Sequence, residues 1–417
     1  MASQRSASWT IILRANHFAL ALAMLLGAVQ PARAQTYTVL HAFTGTPDGS
    51  LPVNGVLRDA QGNLYGTTYL GGNQSCGSYP GCGTVFTINT AGQESILYNF
   101  TEKNGLGPAG YLNFMAGSTL YGTTVSGGTF GDGSAFRISE TGNLTVLYSF
   151  NTGSGGYHPY LIDRDSSGNL YGSTTIGGNQ TSSGVLFKMS PSRKETVLYS
   201  FTCPECNGQS GGGFGFPGAP IRDSSGNFYG PAAGGTHNSG VIFKVTKAGV
   251  GRVLYNFKGV KDGWDPLGPL VRDAAGNLYG TTDNPAGSHC GSLGCGTVFK
   301  VSPQGHDTVL YTFTGGTDGG HPGGGLVRDA QGNLYGTTWD GGSSSNSCGD
   351  PYDQGCGVIF KIDPSGHETV LYTFLNLTDG GYPSGNLIMD PAGNLYGTTS
   401  SGGDRTCQCG VVFKFTP

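Results

Sequence analysis

The sequence predicts an all-β fold, a seven-bladed β-propeller built from four-stranded antiparallel blades. Three observations carry that expectation. A string close to G-N-L-Y-G-T-T recurs seven times; short β-branched and aromatic runs accompany each copy; and the two chain ends hold complementary parts of the seventh unit. Composition agrees. Gly and Pro number 76 and 21 of 417 residues, and only 12% are charged. Glycine at that density disfavours helix interiors by up to ~1 kcal/mol each. Hydrophobic residues at 36% and aromatics at 11% are enough for a packed core and exclude a wholly disordered chain.

The first element is a leader. Arg5 and Arg14 precede an apolar run from Phe18 to Val29, followed by Ala32-Arg33-Ala34. A basic segment, a short apolar segment and an A-x-A site make a secretory signal peptide. Residues 1–34 are therefore expected to be cleaved before Gln35, leaving the propeller as residues 35–417. The apolar run of 12 residues is short of the ~20 needed to span a bilayer. No later stretch is apolar enough to span one, and the last strand runs almost to Pro417. The expected product is an exported monomer, periplasmic or extracellular. Without the three leader arginines the chain carries 19 basic and 26 acidic residues, a formal charge of −7. A mildly acidic surface without basic clusters argues against nucleic acid and anionic lipid as partners.

The repeat tyrosines are Tyr65, Tyr121, Tyr171, Tyr229, Tyr279, Tyr335 and Tyr396, spaced 50 to 61 residues apart. A segment like G-L-V-R-D precedes most copies. A G-x-[VIL]-F-K string follows, with Phe86, Phe136, Phe187, Phe243, Phe299, Phe360 and Phe413, and then T-V-L-Y-x-F, ending at Phe100, Phe150, Phe201, Phe257, Phe313 and Phe374. Each run is bounded by Gly, Asn, Asp or Pro and reads as a strand. Turns such as Asp59–Asn63 pair an opening Asp with a Gly that supplies positive φ. Apolar residues fall on both parities of the strands, so both faces of each sheet are expected to be covered. Four-stranded sheets stacked around an axis satisfy this. Thr38–Phe43 reads as a fourth strand with no earlier ones, and Val411–Phe415 as a third strand lacking its fourth. The N-terminal strand is thus expected to complete the last blade and close the ring.

These strings resemble the Gloeo/Verruco ("GloVer") tandem repeat of secreted, choice-of-anchor type bacterial proteins, over nearly all of Thr36–Pro417. No activity comes with the resemblance. The L-V-x-D-x-x-G-N-L-Y half is also similar to repeats of NHL-type propellers, which implies fold alone.

Ten cysteines form five close pairs, Cys76/Cys82, Cys203/Cys206, Cys290/Cys295, Cys348/Cys356 and Cys407/Cys409. In an exported chain they read as disulfides that pin loops. Zinc is the other reading, for Cys203-Pro204-Glu205-Cys206, but a tetrahedral site needs a second such pair.

Loops between second and third strands share a face with the connections into the next blade, and both are long here, so function is expected on that face. The connections carry Tyr157-His158-Pro159, Phe216-Pro217, Trp264-Asp265-Pro266, His321-Pro322 and Tyr382-Pro383, and the loops add Tyr69, Tyr79 and Trp339. Aromatics among Asp, Asn and Gly suit planar sugar faces and hydroxyls, or a peptide; alternatively the residue before Pro only packs against the neighbouring blade. Asp48, Asp262, Asp318 and Asp379 either cap turns or hold a structural cation; no other cofactor is implied. Asp163–Gly168 opens like a calcium loop but lacks the closing Glu. His158 and His321 are the histidines placed for a general base at the channel mouth, yet no G-x-S-x-G, H-E-x-x-H or paired-carboxylate motif occurs. The expected function is a glycan- or protein-binding module using Tyr157, Phe216, Trp264, Asp265, His321, Trp339 and Tyr382. A polysaccharide lyase or hydrolase and a structural envelope protein are the alternatives.

Overall fold

The string D-x-x-G-N-x-Y closes a hairpin by its own hydrogen bonds. The Asn63 backbone N–H and side-chain amide donate to the Asp59 carboxylate at 2.7 and 2.8 Å, and the Tyr65 hydroxyl donates at 3.3 Å. Asp165, Asp223, Asp273, Asp329 and Asp390 repeat the arrangement. Burial opposes the Asp165 charge, but the bonds from Asn169 and Tyr171 outweigh it and hold the carboxyl at about 2. Asp163 is engaged by Arg222 at 3.0 Å, so the acids of the calcium-like string serve the hairpin and an inter-blade ion pair.

The computed structural model describes residues 35–417 apart from 73–75, 77–79, 109–111, 115–118, 152–154, 179–183, 202–219, 260, 284–294, 343–347 and 349–354. The leader, Tyr79, Phe216, Cys203, Cys206 and Cys290 therefore lie outside the described residues. Thr36–Thr416 is one compact unit. Among the described residues there are seven four-stranded antiparallel sheets and no helix, the predicted seven-bladed β-propeller. Blade 1 is Val56–Arg58, Leu64–Thr68, Thr84–Ile88 and Glu94–Asn99; blade 2 runs from Asn113–Phe114 to Leu144–Ser149 and blade 3 from Tyr157–Arg164 to Glu195–Ser200. Blade 5 is Trp264–Arg272, Leu278–Asp283, Thr297–Val301 and Asp307–Thr312; blade 6 is Val327–Arg328, Leu334–Thr337, Val358–Ile362 and Glu368–Thr373. Blade 7 takes Ile388–Met389, Leu395–Thr399 and Val411–Thr416 from the C-terminal end and Thr36–Ala42 from the N-terminal end. The closing pair runs Thr36↔Thr416 to Ala42↔Val411, with a register shift between Val39 and His41. Third and fourth strands of the other blades shift at the equivalent place, as at Val298/Phe299, so the N-terminal segment is a fourth strand in detail.

Two aromatic devices build the core. The Gly of L-Y-G-T-T pairs across the ladder with the Phe of V-F-K, as in Gly66↔Phe86 and Gly280↔Phe299. The Phe ring lies over that Gly, and a Cβ on Gly66 would meet it at 2.4 Å. The Phe ending each fourth strand then meets the third-strand Phe of the next blade, centroids 5.0–5.5 Å apart at all seven interfaces, including Phe43–Phe86 across the closure. Such edge-on contacts contribute about 0.5–1.5 kcal/mol each beyond area burial.

The D-G-G acids accept hydrogen bonds within their turns. Asp48 accepts from the Thr44 N–H, Asp262 from Lys258 and Gly259, Asp318 from Thr314, and Asp379 from Leu375 and Leu377. Each caps its turn. Tyr311 also donates to Asp318 at 3.0 Å, and Glu368 of blade 6 lies close enough to feel the Asp318 charge. Glu368 Oε1 is buried without a hydrogen-bond partner. Burial, then the Asp318 charge, push Glu368 up to about 7 from 4.5. The folded state thus holds this proton more tightly than the unfolded chain. Its stabilising contribution is complete below the unfolded value and is lost as pH rises through about 7. The side chain is half-exposed, so screening reduces the effect to about 1 kcal/mol. Glu368→Gln is expected to flatten this part of the stability profile between about pH 5 and pH 8. Urea-denaturation midpoints that fall equally in both proteins over that interval would contradict it.

One expectation about the connections changes. Tyr157-His158-Pro159 and Trp264-Asp265-Pro266 are not loop residues: they open the long first strands Tyr157–Arg164 and Trp264–Arg272. The ladders extend because Tyr157 pairs with Ile176 and Trp264 with Asp283.

Candidate functional site

Each connection into a new blade carries x-Pro in sequence, and in the six that fall among the described residues x takes a left-handed backbone: Leu51 at 57°, Gly107 at 61°, His158 at 54°, Asp265 at 45°, His321 at 52° and Tyr382 at 55°. For a non-Gly residue that conformation costs about 1–3 kcal/mol, and a following proline disfavours it further. Hydrogen bonds hold it in place. His321 N–H donates to Cys295 O of the preceding blade at 2.8 Å, and Trp339 N–H donates to His321 O at 3.0 Å; Tyr382 N–H likewise donates to Cys356 O at 2.9 Å. The proline itself packs on a glycine of the preceding blade, Pro322 on Gly296 and Pro383 on Gly357. The frame is common while its side chains differ, so any chemistry lies in those side chains.

On blades 5 to 7 they join into one arc. His321 Nδ1 lies 2.9 Å from Asp340 Oδ2, and His321 Nε2 lies 3.9 Å from Asp283 Oδ1. Trp339, beside Asp340, meets Tyr382 at 4.8 Å between centroids with the rings tilted by 41°. The Tyr382 hydroxyl donates to Cys348 O at 3.0 Å. The Cys348–Cys356 disulfide, Cα atoms 5.6 Å apart, pins that support. Trp339 remains 41% exposed. Trp264 pairs with Asp283 at the arc's other end, but its indole Nε1 is buried against Gly259, so it anchors the connection. Asp265 beside it is exposed.

The structure therefore links Trp264, His321, Trp339 and Tyr382 through Asp283 and Asp340; Asp265 adjoins Trp264 in the chain, and its N–H donates to Ser239 O of the preceding blade at 3.1 Å. Tyr157 and His158 stay on blade 3, their rings 5.0 Å apart, and burial lowers the His158 pKa against the opposing pull of Asp132. Tyr69 lies against Gly107 as a packing residue. Sequence reasoning missed Asp283 and Asp340. Their signal was positional: the two residues after G-T-T are Tyr69-Leu70, Val125-Ser126 and Ser400-Ser401 elsewhere, but begin with Asp283 in blade 5 and are Trp339-Asp340 in blade 6. A cavity of about 160 Å³ lies between the first strands of blades 7, 1 and 2, lined by Asn54, Asn113 and Asn386 among others. Neither His158 nor His321 lines it.

Cys76–Cys82 and Cys407–Cys409 are also bonded, with Cα separations of 5.4 and 5.2 Å. Cys295 is disulfide-bonded as well.

Among the described residues, fold and loop face define a β-propeller decorated along blades 5 to 7. The chain belongs to the Gloeobacter/Verrucomicrobia repeat family, whose model matches residues 28–214 and 206–351. A search of curated proteins finds no match. Among solved structures, a fungal alcohol oxidase of the AA5 family in complex with copper is similar at a TM-score of 0.56 and 13% identity, covering 91% of this chain and 75% of its own. A provisionally assigned 6-phosphogluconolactonase from Bacteroides uniformis gives 0.47 and 15%, covering 80% and 95%. A luciferin-regenerating enzyme gives 0.43 and 12%, covering 92% and 96%. At such identities the alcohol oxidase shows a shared fold and nothing of the chemistry.

Proposed function

We propose that the protein is an exported propeller that binds a glycan on its long-loop face, at the Trp339–Tyr382 corner. The observation that carries this reading is a half-exposed indole fixed in a preset orientation. Trp339 is held by Tyr382, which is held by a disulfide-pinned carbonyl. A rigid aromatic face loses little entropy on binding, and the adjacent His321 and Asp340 supply polar groups for hydroxyls. Export is supported by the disulfides, which persist in oxidising compartments. No helix long and apolar enough to cross a membrane occurs among the described residues.

Affinity electrophoresis or calorimetry on a glycan panel tests the reading. Trp339→Ala is expected to weaken binding about tenfold or more, the scale of an aromatic anchor. Phe130→Ala, an exposed aromatic on blade 2, is expected to leave it unchanged. Equal retention of wild type and Trp339→Ala on every panel member would remove the site.

A second reading, a glycan lyase or hydrolase, is favoured by the His321–Asp340 pair. A carboxylate on Nδ1 fixes the tautomer that presents Nε2 as the proton acceptor, an arrangement suited to a general base. On that reading His321→Ala abolishes turnover and Asp340→Asn reduces it; turnover indifferent to His321→Ala would end it.

A further inference from the structure

Resting on the glycan-binding reading above, we propose that the bound sugar carries a protonated amine, its ammonium group seated between the Trp339 ring and the carboxylates beside it. The ligand class is thus an amino-sugar glycan with free amines. Among the described residues, the ionisable side chains of the arc other than His321 and Tyr382 are acids: Asp283 and Asp340. Asp340 offers Oδ2 to His321, while its Oδ1 is buried without a hydrogen-bond partner. An anionic sugar would meet like charge here. A neutral sugar would leave these acceptors with hydroxyls alone.

The aromatic component points the same way. Elsewhere in this chain tyrosine faces are covered by its own cations: Arg222 lies 4.6 Å from the Tyr171 centroid, Lys244 5.2 Å from Tyr229 and Arg328 5.6 Å from Tyr279. Among the described residues no Lys or Arg covers Trp339 in this way. Trp is the strongest cation-binding ring, and here it stands next to a carboxylate. The combination of an open indole face and adjacent negative charge recognises an ammonium group through both terms at once. The acids also draw a cationic polymer toward this sector at long range, an attraction that salt weakens.

The experiment compares glucosamine hexamers in free-amine, N-acetylated and N-trimethylated form, at about pH 7 and at two salt concentrations. The trimethylated arm keeps its charge at any pH and probes the cation–π component. The free-amine hexamer is expected to bind about tenfold or more tighter than the acetylated one, with the preference shrinking as salt rises. Asp283→Asn and Asp340→Asn are expected to reduce the preference, and Trp339→Ala to weaken both forms. Asp283→Asn serves as the second variant because Asp340→Asn also removes the closer of the two carboxylates that face His321.

Acetylated hexamer binding as well as or better than the free amine overturns the amine inference and leaves the glycan reading standing. So does binding of a different panel glycan, lost in Trp339→Ala, when neither hexamer binds. Binding of a lysine-rich peptide with no glycan bound overturns both. A panel with no glycan bound at all overturns both as well.

Discussion

Phe43→Ala is expected to destabilise the protein by about 3–5 kcal/mol, the cost of emptying a fully buried aromatic site. Phe43 has no exposure, its ring meets Phe86 of blade 1 at 5.1 Å, and its N–H donates to Gly410 O at 3.0 Å. It thus joins the closing strand to both neighbours. Deleting residues 36–43 goes further, because the Val411–Thr416 ladder becomes an open edge and the blade 7–blade 1 contact disappears. Open apolar edges recruit other chains, so the truncated protein is expected to aggregate. Urea denaturation measures the first effect and sedimentation the second. The exposed Phe130, altered the same way, should shift stability by no more than ~0.5 kcal/mol. If Phe43→Ala behaves like Phe130→Ala, the closure is not what holds the ring.

Gly296→Ala is expected to be nearly as damaging. Gly296 has φ of 98°, and a Cβ there would fall 2.4 Å from Thr282 O and 2.5 Å from Pro322 Cδ. Backbone strain contributes about 1–2 kcal/mol and forced repacking about 1–3 kcal/mol. Gly393→Ala isolates the first component, since Gly393 has φ of 86° but nothing within 4 Å of its would-be Cβ. The difference between the two variants measures how tightly Pro322 is seated. Because His321 precedes that proline and donates to Cys295 O, Gly296→Ala should also weaken ligand binding under conditions where the variant remains folded. Thermal melts and titrations that rank Gly393→Ala as the more harmful would reverse this account.

Much of the architecture was legible because it is periodic. The pairing of Gly66 with Phe86 and the hairpin of Asp59, Asn63 and Tyr65 are local events, and each recurs at intervals visible by inspection. The complementary ends at Thr38–Phe43 and Val411–Phe415 were legible for the same reason. The extended first strands at Tyr157 and Trp264 were not. Their length depends on how far a second strand continues beside them, and the repeat strings do not encode that.

The candidate site was half legible. His321, Trp339 and Tyr382 stood out as unusual residues in long loops and connections, whereas Asp283 and Asp340 did not. His321 is 38 residues from Asp283 and 19 from Asp340, and the three meet only because consecutive blades set their loops side by side. Likewise Trp264 and Trp339 look equivalent in sequence, yet Gly259 covers one indole edge while the other ring stays open.

By itself, then, the sequence determined the blade count, the strand order within each blade and the closing strand, because short-range pairing and turn chemistry repeat with the chain. Only the tertiary structure decided which residues share a sector and which aromatic face remains uncovered. Those outcomes depend on the twist and packing of neighbouring blades, which bring distant side chains within a few ångströms without leaving a periodic trace.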